Sequence, residues 1–230
     1  FKYDIEEGIK DGVINPFEFY HMSIVMDEDT KEKYELLSNK LNYLLKSLDV
    51  LDFSKLKGSD ENHAAILKIL NERKQLISNY KQKAVVAKSI ILMNPTSKII
   101  VFNQYNKTSR DLYWELQEND IRCDIMNSDL SAKQQFEIFR KFEGDELKVL
   151  LTTRILDEGY NVPSIDIAIL MAQNSTDKQF VQRMGRVLRK KERISKVYYL
   201  TVQDTFEEKY FLDKQERIKK LALKYTEIVV

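Results

Sequence analysis

After Pro95, short apolar runs alternate with longer segments of helical periodicity. The runs are rich in β-branched residues and too short for helices, so we predict that they are buried strands. They span Lys98–Phe102, Ile121–Met126, Val149–Thr152, Ile165–Met171 and Val197–Thr201. Strands that alternate with helices form parallel sheets. The sequence therefore predicts an α/β fold, with a parallel, doubly wound sheet flanked by helices.

Helix signals lie between these strands. Ser131 with Gln134, and Thr176 with Gln179, have the spacing of a capping box, which starts a helix. The last helix is predicted from Asp204 to about Tyr225.

The N-terminal part follows a different pattern. Phe17–Met26 is rich in aromatic and β-branched residues, which predicts a strand. Helical periodicity follows after Asp27–Thr30 and again across residues 61–93. We therefore expect a strand plus a helical connector or extension over residues 1–94, and the main domain over residues 95–230. The apolar stripes of the N-terminal helices are typical of packing surfaces.

Charge and composition exclude several classes of protein. The chain has 37 Lys and Arg residues against 36 Asp and Glu residues, so a nucleic-acid-binding surface would have to be local. One cysteine, Cys123, excludes a disulfide framework and a cysteine-based zinc site, and two histidines are too few for a His-rich metal centre. We predict no metal site.

Hydropathy argues against a membrane protein. No apolar run approaches the ~20 residues that a membrane helix needs, and residues 1–10 are polar and acidic, unlike a signal peptide. We expect a cytoplasmic protein without a membrane partner.

Polar residues collect where the predicted strands end. Asn103 and Gln104 follow one strand, and Thr152 and Thr153 end another. Ligands bind at the carboxyl ends of strands in parallel sheets, and hydroxyl and backbone N–H groups suit phosphates. A hydrophilic turn and a helix cap are the alternative interpretations.

The helix predicted over about residues 177–189 has two different faces. At ~100° per residue, one face is apolar, formed by Phe180, Met184 and Val187. The opposite face carries Gln182, Arg186 and Arg189. Two arginines and a glutamine on one face can bind a polyanion. The alternative is a solvated basic face at the end of a helix, where cations suit the helix dipole.

These segments resemble three motifs of superfamily 2 helicases and translocases. Ile100–Gln104 resembles motif IV, Leu151–Pro163 resembles motif V, and Gln182–Arg189 resembles motif VI. The order and spacing of the motifs also resemble those of the family, over roughly residues 96–203. The motif sequences are most similar to those of the XPB-like branch of DNA repair helicases. The resemblance implies the second (C-terminal) motor domain, with a RecA-like fold of the P-loop NTPase type.

The resemblance also implies roles for individual residues. ATP would bind between two RecA-like domains, with ATP and Mg²⁺ held mainly by a first motor domain that is absent from this chain. Arg189 would be the arginine finger, Arg186 its companion on the γ-phosphate, and Gln182 a sensor. Nucleotide contacts would come from Glu158, Gly159 and Asn161. Nucleic-acid contacts would come from Thr152, Thr153, Asn103 and Gln104.

The sequence departs from the family in several places. Asn161 stands where the family usually has Asp, and Asn127–Ser128 where it usually has His-Gly. None of the six glycines begins a G-x-x-x-x-G-K-[ST] phosphate loop, and no Asp-Glu-x-His or Asp-Glu-x-Asp string is present. In this family those elements belong to the first motor domain. We therefore expect this chain alone to lack ATPase activity.

The expected partners are the first motor domain and a nucleic acid. The motif sequences favour DNA as the nucleic acid, and RNA remains an alternative. Two alternatives to a helicase or translocase of the repair type remain: a motor subunit of a restriction or phage-defence translocase, and a non-catalytic RecA-like binding module.

Overall fold

The computed structural model describes residue 11 and residues 16–47, 61–153, 165–171 and 194–230. The strands are β1 (Phe17–Ile24), β2 (Ile99–Asn103), β3 (Cys123–Met126), β4 (Val149–Thr153), β5 (Ile167–Leu170), β6 (Ser195–Val202) and β7 (Lys224–Val229). The helices are α1 (Glu28–Ser47), α2 (Glu61–Ser78), α3 (Lys81–Leu92), α4 (Asn106–Gln117), α5 (Ala132–Glu143) and α6 (Phe206–Leu221).

The described strands form one seven-stranded sheet with the order β3-β4-β2-β5-β6-β1-β7. Every neighbouring pair is parallel. The predicted α/β fold with a parallel sheet flanked by helices is therefore confirmed. The predicted strands match β2 to β6 closely, and every residue of β2, β4 and β5 is buried, as expected of apolar runs in the middle of a parallel sheet.

Alternation along the strands divides the core into two faces. Ile100, Phe102 and Leu150 belong to one apolar cluster with Phe139 and Phe142 of α5. Their neighbours along the strands point to the opposite face, which α4 covers. Consecutive residues at the end of a strand therefore meet different helices.

The C-terminal segment differs from the prediction. The helix expected to reach Tyr225 ends at Leu221, and Ala222 has the extended dihedral angles φ −78° and ψ 140°. The following residues form β7, which pairs with β1. The Tyr225 ring stacks on Phe19 with a centroid distance of 6.0 Å. This long-range contact favours the strand over continuation of the helix.

The single helix expected across residues 61–93 is two helices in the structure. Helix α2 ends at Ser78 and α3 begins at Lys81. The Tyr80 hydroxyl accepts a hydrogen bond from the Asp27 backbone N–H at 2.9 Å. This contact over 53 residues holds the break in place.

The chain forms two compact units. One contains residues 1–24 and 81–230, and the other contains residues 25–80. Strand β1 and helix α3 thus share a unit with the rest of the sheet, whereas the division at residues 94 and 95 groups them with the extension. That division stays a proposal about where the motor domain begins. No helix in the described ranges is both long and apolar enough to cross a membrane.

Candidate functional site

The carboxyl ends of β2 and β4 lie side by side in the sheet. Asn103 is the register partner of Thr153, and Phe102 is the partner of Thr152. The exposed fraction of Asn103 is 2%, and that of Thr153 is 5%. The structure thus brings three of the predicted nucleic-acid-binding residues to one edge of the sheet, and Gln104 follows directly after β2.

The two threonines point to opposite faces of the sheet, because successive side chains alternate along a strand. Thr152 lies between Phe102 and Met126 in the register and is fully buried. Its hydroxyl has no hydrogen-bond partner among the described residues, and neither does Oε1 of Gln104. Thr153 instead points with Asn103 toward α4.

Amide side chains connect this edge to α4. Nδ2 of Asn103 donates to the Ser109 hydroxyl at 2.9 Å, and both residues are buried. The Thr153 hydroxyl donates to Oδ1 of Asn106 at 3.2 Å. Nδ2 of Asn106 donates to a carboxylate oxygen of Asp129 at 2.8 Å. One side chain, Asn106, therefore joins the end of β4 to the loop that follows β3.

The loop that carries Asp129 is held by its own hydrogen bonds. The Asp129 backbone N–H donates to Oδ1 of Asn127 at 3.1 Å. Nε2 of Gln135 on α5 donates to the carbonyl oxygens of Asn127 and Leu130 at 3.1 and 3.0 Å. Asn127, which stands where the related family usually has His, thus shapes the loop that presents Asp129.

Helix α5 behind this loop begins with the predicted capping box. The Ser131 hydroxyl accepts from the Gln134 backbone N–H, and the Gln134 side chain accepts from the Ser131 N–H. Helix α4, in contrast, begins after Tyr105, whose side chain makes no capping hydrogen bond. Tyr105 therefore does not cap the backbone N–H groups at the start of α4, and the N-terminus of a helix favours an anion.

Cys123, the one cysteine of the chain, is buried and is not in a disulfide. Burial raises the pKa of the Cys123 thiol to about 11, so the sulfur stays protonated near neutral pH. Within the residues that the structure describes, no group of three His, Cys, Asp or Glu side chains could hold a metal ion.

The predicted ATP-binding residues lie outside the described residues. These are Glu158, Gly159, Asn161, Gln182, Arg186 and Arg189. The second predicted capping box, at Thr176–Gln179, is also outside them. Their roles stay proposals.

Sequence reasoning missed three residues that shape the edge: Asn106, Ser109 and Asp129. The amide-rich loop Asn103–Asn106 was a signal for the first. The pairing of Asn106 with Asp129 spans 23 residues, and no local pattern predicts it.

A family model described as the helicase conserved C-terminal domain matches residues 81–191. This range holds both the polar edge and the three segments that resemble helicase motifs. Residues 81–191 are a helicase C-terminal domain. The predicted resemblance to the C-terminal domain of helicases and translocases is confirmed over this range.

Curated helicases align with the helicase domain and its flanks. The chain is 25% identical over 212 residues to the DNA 3'-5' translocase XPB2 of Sulfurisphaera tokodaii, covering 89% of this chain and 47% of the relative. It is 26% identical over 159 residues to the ATP-dependent RNA helicase DBP3 of Lodderomyces elongisporus, covering 68% of this chain and 28% of the relative. The chain thus spans about half or less of the length of these relatives.

Solved structures confirm the RecA-like fold. The Hef helicase domain of Pyrococcus furiosus superposes with a TM-score of 0.65 at 19% identity, covering 88% of this chain and 59% of that one. The SWI2/SNF2 ATPase C-terminal domain of Sulfolobus solfataricus superposes with a TM-score of 0.60 at 16% identity, covering 90% of this chain and 88% of that one.

Proposed function

We propose that this chain is the second motor domain of an ATP-dependent DNA helicase or translocase. The observation that carries the proposal is the family match over residues 81–191, which includes all three motif-like segments. A helicase C-terminal domain works with a first motor domain, which would hold the phosphate loop and the Mg²⁺ ligands.

DNA is the favoured substrate because of how far the alignments extend. The relative named as a DNA translocase aligns over 89% of this chain. The relative named as the RNA helicase DBP3 aligns over 68%. The alignment with the DNA translocase therefore includes more of the chain outside residues 81–191.

The ATP-facing roles follow from motif position. Arg189 would be the arginine finger toward the γ-phosphate, Arg186 would contact the same group, and Gln182 would sense the nucleotide state. Positive charge at the γ-phosphate stabilises the charge that develops in the transition state. Glu158, Gly159 and Asn161 would contribute the nucleotide contacts by the same assignment.

The nucleic-acid side of the proposal rests on the polar edge of the sheet. Asn103, Gln104, Thr152 and Thr153 are assigned to the nucleic-acid backbone. The geometry supports Thr153 more than Thr152, because the Thr152 hydroxyl lies in the apolar layer between Phe102 and Met126. Thr152 can therefore contact a nucleic-acid strand only through its backbone or after a local rearrangement of its side chain.

The test uses a protein that contains this chain together with a first motor domain. Phosphate release is measured with Mg²⁺ and ATP in the presence of single-stranded DNA, duplex DNA or RNA of matched length. We expect hydrolysis that DNA stimulates more than RNA. Stimulation by RNA alone would contradict the DNA assignment, and hydrolysis unaffected by any nucleic acid would contradict the motor function.

A further inference from the structure

Three side chains form a hydrogen-bonded chain at the edge of the sheet: Thr153, Asn106 and Asp129. The direction of each bond is determined by chemistry. A carboxylate only accepts, so Asn106 must turn its NH₂ group toward Asp129. Its carbonyl oxygen then faces Thr153, and the Thr153 hydroxyl must be the donor.

This direction has a consequence for phosphate binding. A nucleic-acid phosphate oxygen is also only an acceptor, and a hydroxyl has a single proton. While Thr153 donates to Asn106, it cannot donate to a phosphate. The Thr153 hydroxyl, which is assigned to contact the nucleic-acid backbone, therefore has its single proton already in use in this arrangement.

The Asp129 carboxylate itself occupies a position suited to a phosphate. It accepts a charge-assisted hydrogen bond from Asn106, the first residue of α4. Tyr105, the residue before α4, makes no capping hydrogen bond, and the dipole of the helix adds to the attraction for an anion at this end. Asp129 is an exposed residue of the loop between β3 and α5, so its side chain can move away from Asn106 without disturbing the core.

We propose that Asp129 is a positioning residue that competes with nucleic-acid phosphate for the Asn106 amide. A nucleic-acid strand binds here when one of its phosphates replaces the Asp129 carboxylate as the acceptor for Asn106. A phosphate, like the carboxylate, only accepts, so the Asn106 amide keeps its orientation and Thr153 still donates to it and holds it in place. The inference rests on the proposed function, because it requires that this edge faces the nucleic-acid backbone.

The test compares four variants of the full chain with the wild type in binding a fluorescent oligothymidylate of about 20 nucleotides at ~50 mM salt. Asp129→Asn keeps the shape of the side chain but removes its charge. Asp111→Asn removes the same charge from an exposed position on α4 and is the matched control. Asn106→Ala and the double variant Asp129→Asn/Asn106→Ala ask whether Asp129 acts through Asn106. Thermal melting confirms that each variant is folded.

We expect Asp129→Asn to tighten binding by about threefold to tenfold, because a charge-assisted hydrogen bond becomes a neutral one. Asp111→Asn should change binding by less than about twofold, as expected of a distant surface charge. In the Asn106→Ala background, Asp129→Asn should give no more than the control.

Three results would overturn the inference. If Asp129→Asn matches Asp111→Asn, the carboxylate does not compete, and the proposed function stands. If the gain persists without Asn106, the effect is general electrostatics rather than positioning. If neither the wild type nor any variant binds at this salt concentration, no phosphate replaces the Asp129 carboxylate and the inference is wrong, whereas the proposed function is decided by the hydrolysis measurement on the two-domain protein.

Discussion

A fully buried ion pair joins α3 to α6 in the core. Nζ of Lys83 on α3 lies 2.7 and 2.6 Å from the two carboxylate oxygens of Glu207 on α6, and neither side chain is exposed. Burial lowers the pKa of Lys83, and the Glu207 carboxylate opposes that shift. Each charge depends on the other, because an unpaired charge in the interior is strongly unfavourable.

The pair can be tested by removing one partner or both. Lys83→Met should lower the free energy of unfolding by about 3–5 kcal/mol, because the buried Glu207 carboxylate loses its ion-pair partner Lys83. The double variant Lys83→Met/Glu207→Leu should recover most of that loss. Urea unfolding followed by circular dichroism measures both. Lys88→Met is the control, since its pair with Glu115 is partly exposed and contributes less than about 1 kcal/mol. A double variant as unstable as the single one would contradict this account.

His21 gives the fold a pH dependence. It is 1% exposed and stacks on Phe211 of α6, and Nε2 lies 2.8 Å from the Thr201 hydroxyl on β6. Burial lowers the pKa of His21, while Glu227 on β7 and Glu208 on α6 oppose the shift. The imidazole is therefore neutral in the folded chain at a pH where the unfolded chain is already protonated.

Because the unfolded state binds the extra proton, His21 stabilises the fold fully above pH ~6.5, and that stability is lost as pH falls from there toward the lower folded-state pKa. The slope from this residue is at most about 1.4 kcal/mol per pH unit. Unfolding free energies of the wild type and His21→Gln, measured between about pH 5 and 7.5, should show a flatter profile for the variant. Parallel profiles for wild type and His21→Gln would refute the assignment.

At the scale of elements, the sequence predicted the strands and helices whose stabilising features lie within the element itself. The strands β2 to β6 followed from apolar runs, and α5 followed from its capping box. Strand β7 and the break between α2 and α3 did not, because each depends on a contact far away in the chain: Tyr225 with Phe19, and Tyr80 with Asp27. The same reason applies to the site, where Asn103 and Thr153 were predicted but the bridge from Asn106 to Asp129 was not.

The capping box of α5 can be tested by itself. Ser131→Ala removes the acceptor for the Gln134 N–H and should lower the free energy of unfolding by about 1 kcal/mol. Ser128→Ala is the matched control in the same loop, since Ser128 is exposed and outside the box. Its effect should stay within about 0.5 kcal/mol. Thermal and urea unfolding measure both, and equal losses for the two variants would show that the cap does not stabilise α5.

At the scale of the whole molecule, charge is nearly balanced but locally concentrated. The chain has a net charge of +1, yet residues 181–193 contain six arginines and lysines and one glutamate. Few phosphate contacts are available to half of a two-domain motor. Binding of single-stranded DNA by the isolated chain should therefore be weak and fall steeply with salt, with about −0.7 in the log–log slope for each phosphate contact. Anisotropy titrations over a salt series measure this slope, and tight binding that is insensitive to salt would contradict it.

The measurement that tests the central claim most directly is the turnover of Arg189→Ala in a protein containing both motor domains. If this chain supplies the arginine finger, kcat for DNA-stimulated ATP hydrolysis should fall by about 10³–10⁵, while KM for ATP changes much less, because the charge is needed chiefly in the transition state. Lys190→Ala, which removes the adjacent cation, should retain near wild-type kcat. If Arg189→Ala keeps full activity, or if both variants lose it equally, this chain is not the source of the finger.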